Sequence, residues 1–159
     1  MEKENLRFKI GLSGSSNRKQ PEFVIKIDDE KLVHRKLTQS PNTVEYFEFE
    51  HTITEGPHLL KIELINKAFG DTVLDSEGNI IEDLLLNIES IEIDDIDLGA
   101  LKWTLSVYEP KYPERYEREQ NRQGKALPKQ VQNCVNLGWN GVWQLPIESP
   151  FYIWLLEKI

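Results

Sequence analysis

Cysteine is almost missing from this chain. Cys134 is the single one in 159 residues, so no intrachain disulfide forms, and a zinc site built on paired thiolates is excluded. Such usage fits folding in a reducing compartment. The three histidines, His34, His51 and His58, stand in no His-x-x-x-His arrangement, and none lies on a helical pattern that would set metal ligands on one face. His51 and His58 flank the turn Glu55-Gly56-Pro57 and read as a solvated cross-strand pair. Gly-x-Ser-x-Gly and a Gly-rich phosphate loop ending in Lys-Ser/Thr are both absent, which removes the nucleophile elbow and the P-loop. No apolar run approaches the roughly 18 residues of a spanning helix, and the start MEKENLRFK lacks the apolar core of a secretory leader. Basic residues are outnumbered, 19 Lys and Arg against 27 Asp and Glu, for a net charge of −8. Phosphate-backbone binding rests on clustered cations. The expectation is a non-enzymatic protein with neither nucleic-acid nor membrane partners.

What the chain has in quantity is strand pattern. Leu6, Phe8, Ile10 and Leu12 alternate with Arg7, Lys9 and Gly11, a half-buried strand. Phe23, Ile25 and Ile27 repeat the pattern, and Asp28-Asp29-Glu30-Lys31 turns the chain toward Leu32 to Leu37 as a hairpin. Phe47, Phe49, His51 and Ile53 follow, then Leu60, Ile62 and Leu64 after Gly56-Pro57. Leu84, Leu86 and Ile88 share one face while Ile91 and Ile93 fall on the other, so a bulge near Glu89-Ser90 is needed to return them to the core. Trp103, Leu105 and Val107 read as another strand, and Val142 to Ile159 as one or two more, with Trp143 and Trp154 in the core. Helical periodicity is nearly absent. The fold class expected is all-β, an antiparallel β-sandwich of jelly-roll kind in a single domain over residues 1–159.

Carboxylates concentrate between Asp71 and Leu98. Thr72-Val73-Leu74 is answered by Ile80-Ile81 across Asp75-Ser76-Glu77-Gly78-Asn79, a hairpin tip in which Gly78 and Asn79 tolerate positive φ. Calcium takes six to eight oxygens, and Asn66, Asp71 and Asp83, with Asp75, Glu77 and the Asp94-Asp95 pair nearby, are the candidate ligands; the competing reading is a plain acidic hairpin tip. An EF-hand is excluded, because with Gly78 at the sixth place the first and twelfth would be Val73 and Leu84, which bind no ion.

One segment stands outside the sandwich pattern. Residues 109–130, EPKYPERYEREQNRQGKALPKQ, hold three prolines and almost no large aliphatic side chain, with six basic residues against four acidic ones. A polar connection of this length inside a compact domain is a binding loop or an arm. Tyr and Arg are the side chains interfaces favour, so Tyr108, Tyr112, Arg115, Tyr116, Arg118 and Arg122 are the expected partner-binding residues, in contact with a neighbouring copy or another protein. Sugar sites need exposed rings, and Trp139 and Tyr152 are the stacking candidates.

Two resemblances attach to these motifs. The run Asp71 to Asp83, the strand Ile88 to Asp94, and the ending Leu137-Gly138-Trp139-Asn140-Gly141 with Pro150-Phe151-Tyr152-Ile153-Trp154-Leu155-Leu156-Glu157 together look like small β-rich virion structural proteins of tailed bacteriophages, of marine and cyanobacterial type. That resemblance spans about Leu60 to Ile159 and implies a capsid, neck or tail component in the virion, present in many copies and bound to other virion proteins. The second joins Asn66 to Ile93, which is similar to calcium-dependent xylan-binding modules. Asn66 matches their first asparagine and Asp83 a later aspartate, with Leu86, Ser90 and Ile91 in register; Lys67, Leu84 and Leu85 depart from their Asp, Arg and Asn. It implies, as the alternative function, a calcium-dependent carbohydrate-binding module recognising surface glycans.

Overall fold

The computed structural model describes residues 2–159. Two antiparallel sheets face each other. The first carries β12 (Asn136–Leu137), β8 (Leu86–Ile93), β1 (Lys3–Gly14) and β4 (Glu45–Thr54) in that spatial order, with the short β9 (Ile96–Asp97) also on β8. The second runs β11 (Val131–Gln132), β10 (Val107–Pro110), β13 (Gly141–Ser149), β5 (Gly56–Leu64), β2 (Glu22–Ile27) and β3 (Glu30–Lys36). A detached hairpin pairs β6 (Val73–Leu74) with β7 (Ile80–Glu82). This is the β-sandwich that the alternation predicts.

The alternating residues supply the core. Leu6, Phe8, Ile10 and Leu12 from β1 are buried against Phe23, Ile25, Leu60, Ile62, Trp143, Leu145 and Ile147 from the opposite sheet. Phe8 stacks on Phe49 at 5.0 Å between centroids, and Phe23 meets Phe47 edge-on at 4.8 Å. Trp143 is fully buried, and its indole N–H donates to the Cys134 carbonyl at 2.9 Å. Its truncation to alanine would cost about 3–5 kcal/mol.

The bulge falls where the face count requires it. Gly11 of β1 pairs with Ser90, and Leu12 pairs with Ile88, so Glu89 is the extra residue and Ile88 and Ile91 are both buried. The acidic hairpin tip also forms as expected. Asp75 Oδ1 accepts the Glu77 and Asn79 amides, both at 2.9 Å, while Gly78 takes φ +84°.

Five expectations fail. Glu55-Gly56-Pro57 makes no hairpin: β4 pairs with β1 and β5 with β2 and β13, so this turn carries the chain from one sheet to the other. His51 and His58 consequently do not pair; each faces an acid near the β2–β3 turn, His51 with Glu30 at 3.3 Å and His58 with Asp28 at 2.7 Å. Residues 101–104 form a helical turn, α1 (Leu101–Thr104), before β10 begins at Val107, and Trp103 is exposed. The polar segment contains a helix, α2 (Glu114–Arg122), and the end of the chain is a third, α3 (Phe151–Lys158), rather than a strand. Phe151, Trp154 and Leu155 of α3 are buried, an i, i+3, i+4 stripe. No helix among the described residues is long and apolar enough to cross a membrane.

Candidate functional site

Five strand ends meet at one end of the sandwich. Gly141 opens β13 opposite Leu64, the last residue of β5, and Pro110, the last of β10; Leu137 closes β12 opposite Leu86, the first of β8. Four aromatic rings gather over this junction. Tyr116 lies 4.7 Å from Trp139 and 6.5 Å from Phe69 between centroids, and Tyr112 lies 5.6 Å from Trp139 and 6.3 Å from Tyr116. Tyr112 and Tyr116 come from the polar segment, Tyr112 just before α2 and Tyr116 in its first turn. The 109–130 segment thus lies against its own body through these rings, and Tyr112 Oη donates to the Pro128 carbonyl at 2.7 Å.

The turn Trp139-Asn140-Gly141 holds this assembly, each residue for a separate reason. Trp139 presents its ring to the cluster, and its amide donates to Tyr108 Oη at 3.0 Å. Asn140 bonds the backbone of Lys67 in both directions, accepting from the Lys67 amide at 2.8 Å and donating to its carbonyl at 3.0 Å. Gly141 has φ +153°, and a Cβ there would press into the Glu109 carbonyl and sit 2.8 Å from Pro110 Cα.

A hollow of about 370 Å³ opens among Phe69, Leu74, Ile80, Tyr116 and Trp139, with Lys67, Thr72 and Asp83 as its polar groups. Beside it, Tyr112, Lys111 and Glu114 border a wider trough of about 730 Å³. Phe69 is 61% exposed, while Tyr112, Tyr116 and Trp139 are half-buried. On the floor, Lys67 Nζ donates to Asp83 Oδ1 at 2.6 Å and to the Gly138 carbonyl at 2.5 Å, and lies 5.1 Å from the Trp139 ring centroid. Asp83 Oδ1 further accepts from Thr72 Oγ1 at 2.8 Å and from the Leu84 amide at 2.9 Å.

The residues expected from sequence fall into separate places. Tyr108 is 3% exposed and is held within its own chain: its hydroxyl donates to the Trp139 carbonyl, and burial pushes its phenol well above the usual range. Arg115, Arg118 and Arg122 project into solvent from α2, Arg122 pairing with Glu119 at 3.5 Å. Tyr152 lies at the other end of the sandwich, bonded to Asp94 beyond the last residue of β8. An eight-residue strand separates it from Trp139, roughly 25 Å, so the two stacking candidates do not share a site. Sequence reasoning missed Phe69 and Lys67. The available signal was a lone aromatic in the loop Asn66-Lys67-Ala68-Phe69-Gly70, where nothing apolar nearby gives it a core to join.

The three candidate calcium ligands are each engaged elsewhere. Asn66 clips the β2–β5 edge, accepting from the Glu22 amide at 2.8 Å and donating to the Gln20 carbonyl at 3.0 Å. Asp71 pairs with Lys19 at 2.8 Å and accepts the Ala68 amide at 2.7 Å. Burial acts to raise its carboxyl, but those bonds outweigh it and hold the group below its ordinary range. Asp83 holds Lys67. Among the described residues no group of three or more His, Cys, Asp or Glu side chains is placed to bind a metal. With an ammonium already at the Asp83 carboxylate and the Gly138 carbonyl, this donor set does not fit a calcium ion, which needs six to eight oxygens free to point at it.

No family model matches the chain, and no curated protein matches it; the virion resemblance gains no support from either comparison. Solved structures do match. The chain is similar to vCBM60 in complex with galactobiose, with a TM-score of 0.51 at 12% identity over 87% of this chain and 96% of that one. It is likewise similar to a selenomethionine form of vCBM60, described as linking two families of calcium-dependent carbohydrate-binding modules, with a TM-score of 0.50 at 12% identity over 88% and 89% of the two chains. At such identity the likeness is one of fold: the protein is an antiparallel β-sandwich of the kind seen in carbohydrate-binding modules.

Proposed function

We propose that this protein is a non-catalytic carbohydrate-binding module that receives a glycan in the hollow walled by Phe69, Tyr116 and Trp139. The observation that carries the reading is the convergence of four rings from three separated parts of the chain onto one end of the sandwich, above a fixed pair of polar groups, Lys67 and Asp83. A small-ligand site combines apolar walls with a few placed hydrogen-bonding groups, and a sugar ring presents an apolar face to aromatic side chains and hydroxyls to polar ones. The fold likeness to a module solved with galactobiose supports this reading. It displaces the virion expectation, whose most specific part is the sequence ending; that ending now has local structural reasons in the Asn140 clip, the Gly141 close approach and the buried stripe of α3.

Affinity electrophoresis of the full chain through galactans and xylans tests the proposal. The wild type should be retarded by at least one of them, and Phe69→Ala should lose about tenfold in affinity, since one buried ring contributes about 1.4 kcal/mol or more. Phe69 is mostly exposed, so this change leaves the fold intact. Migration of the wild type unaltered by every polysaccharide overturns the reading.

A further inference from the structure

Lys67 has an environment unusual for a lysine. Its side chain is only 4% exposed, and a buried ammonium persists only where its protons are taken up. The acceptors come from distant parts of the chain: the Asp83 carboxylate between β7 and β8, at 2.6 Å, and the Gly138 carbonyl before β13, at 2.5 Å, with the Trp139 ring 5.1 Å from Nζ. A carboxylate and a backbone carbonyl thus hold the ammonium, and the Thr72 hydroxyl steadies the same Asp83 oxygen by donating to it. The positive charge there belongs to the chain.

We infer that Lys67 is a tethered cation doing the structural work of a divalent ion, fixing Asp83 and the Trp139 face without calcium, so that the site takes neutral glycans and takes them independently of metal. The second half of this rests on the glycan reading; the first does not. All of the hydrogen bonds to Asp83 from Lys67, Thr72 and Leu84 end on Oδ1, which leaves Oδ2 of a side chain 21% exposed as the acceptor for a sugar hydroxyl. Lys67 is committed to Asp83, so no unpaired positive charge sits on the floor of the hollow to hold a uronate. The chain's net charge of −8 further disfavours polyanionic chains.

The test runs in two arms on the full chain. Thermal unfolding is followed in millimolar calcium chloride and in EDTA, with no glycan present. The wild-type midpoint should be the same in both, and Lys67→Met, which keeps the apolar stem and loses the charge, should melt lower by roughly 5 °C in either buffer. A saturable rise of the wild-type midpoint with calcium overturns the tethered-cation assignment, and this result needs no variant to fold. In the second arm, retardation in neutral galactan or xylan is compared with and without EDTA, and against polygalacturonate. Equal retardation in both buffers, stronger on the neutral chains, supports the inference; loss in EDTA or stronger retardation on the polyuronate overturns it. No retardation anywhere, with a calcium-blind midpoint, defeats the glycan reading and leaves the role of Lys67 standing.

Discussion

Asn140 and Lys67 are joined by a reciprocal pair of hydrogen bonds: the Lys67 amide donates to Asn140 Oδ1 at 2.8 Å, and Asn140 Nδ2 donates back to the Lys67 carbonyl at 3.0 Å. The side-chain amide imitates one rung of a sheet ladder and ties the loop after β5 to the turn before β13. The Asn140 carbonyl meanwhile accepts the Lys111 amide at 2.6 Å. One residue therefore fixes the relative positions of Lys67, Trp139 and the start of the α2 segment.

Asn140→Ala removes both rungs and leaves a backbone donor and acceptor partly desolvated. The expected destabilisation is about 2 kcal/mol, a fall in the melting midpoint of roughly 6 °C for a chain of this size. Asn140→Asp should recover only part of the loss, because a carboxylate accepts from the Lys67 amide but cannot donate to its carbonyl. Thermal denaturation followed by circular dichroism checks the order wild type, then Asp, then Ala.

The β8 bulge sets a second expectation. A Cβ on Gly11 would stand 2.6 Å from Ser90 Oγ and 3.0 Å from both Tyr46 and Val44, and Ser90 Oγ is buried with no hydrogen-bond partner among the described residues. Ser90→Ala should be neutral or mildly stabilising, since it deletes an unsatisfied hydroxyl. Gly11→Ala should cost about 2 kcal/mol through crowding, and the double variant should recover part of that cost. A double-mutant cycle in urea measures the coupling; strict additivity would contradict the assigned contact.

Much of the sandwich is legible in the sequence because each inward face repeats at period two, and the bulge is legible because a count of faces fails by one residue. The helices are not legible, for different physical reasons. In α3 the run from Phe151 to Leu156 is apolar on every side, with Tyr152, Ile153 and Leu156 all exposed, so the buried i, i+3, i+4 stripe is hidden among its neighbours. In α2 only Tyr116 and the polar Gln120 are half-buried, which leaves no apolar stripe to find. The site is less legible still. Lys67 and Asp83 meet through loops, where no periodicity constrains which residues face each other, and the sequence marks Trp139 as a stacking candidate without any sign that Tyr112 and Tyr116 cover it.

His58 predicts a pH dependence far from the site. Nδ1 faces Asp28 Oδ2 at 2.7 Å and Nε2 faces the Thr54 carbonyl at 2.6 Å, so both ring nitrogens point at acceptors and the imidazolium satisfies both. Burial pulls the ring down, but the Asp28 hydrogen bond, the Thr54 carbonyl and the Asp28 charge outweigh it and raise it above 6.5. For Asp28, burial acts upward, yet the bonds from His58 and the Leu59 amide leave it below 3.8. A raised histidine adds stability that is complete below its unfolded value and lost as pH climbs through the folded one; a lowered aspartate adds stability present above its unfolded value and lost as pH falls through the folded one. The pair is therefore fully formed between about pH 4 and 6.5. Stability should decline as the pH is raised beyond that window, and His58→Gln should flatten this decline while lowering stability most at pH 5 to 6. Urea midpoints across the range check it, and an unchanged slope in the variant would place the titration elsewhere.

The aromatic cluster makes the final prediction, because it separates packing from recognition. Tyr116 bridges Phe69 and Trp139, and it is also the ring through which α2 lies on the body. Tyr116→Ala should detach α2, since the rest of that helix is polar and, Gln120 apart, exposed, and an isolated nine-residue helix is marginal in water. The sandwich itself should survive, as no strand depends on Tyr116 for its pairing. Hydrogen exchange should show the amides of 114–122 losing protection while those of β1, β5, β8 and β13 keep theirs, with a global cost of about 1 kcal/mol. Tyr116→Phe keeps the ring and should restore protection of α2. Loss of protection spreading into β13 would mean instead that the cluster is part of the core, and the hollow beside Trp139 would then be a by-product of packing rather than a place for a ligand.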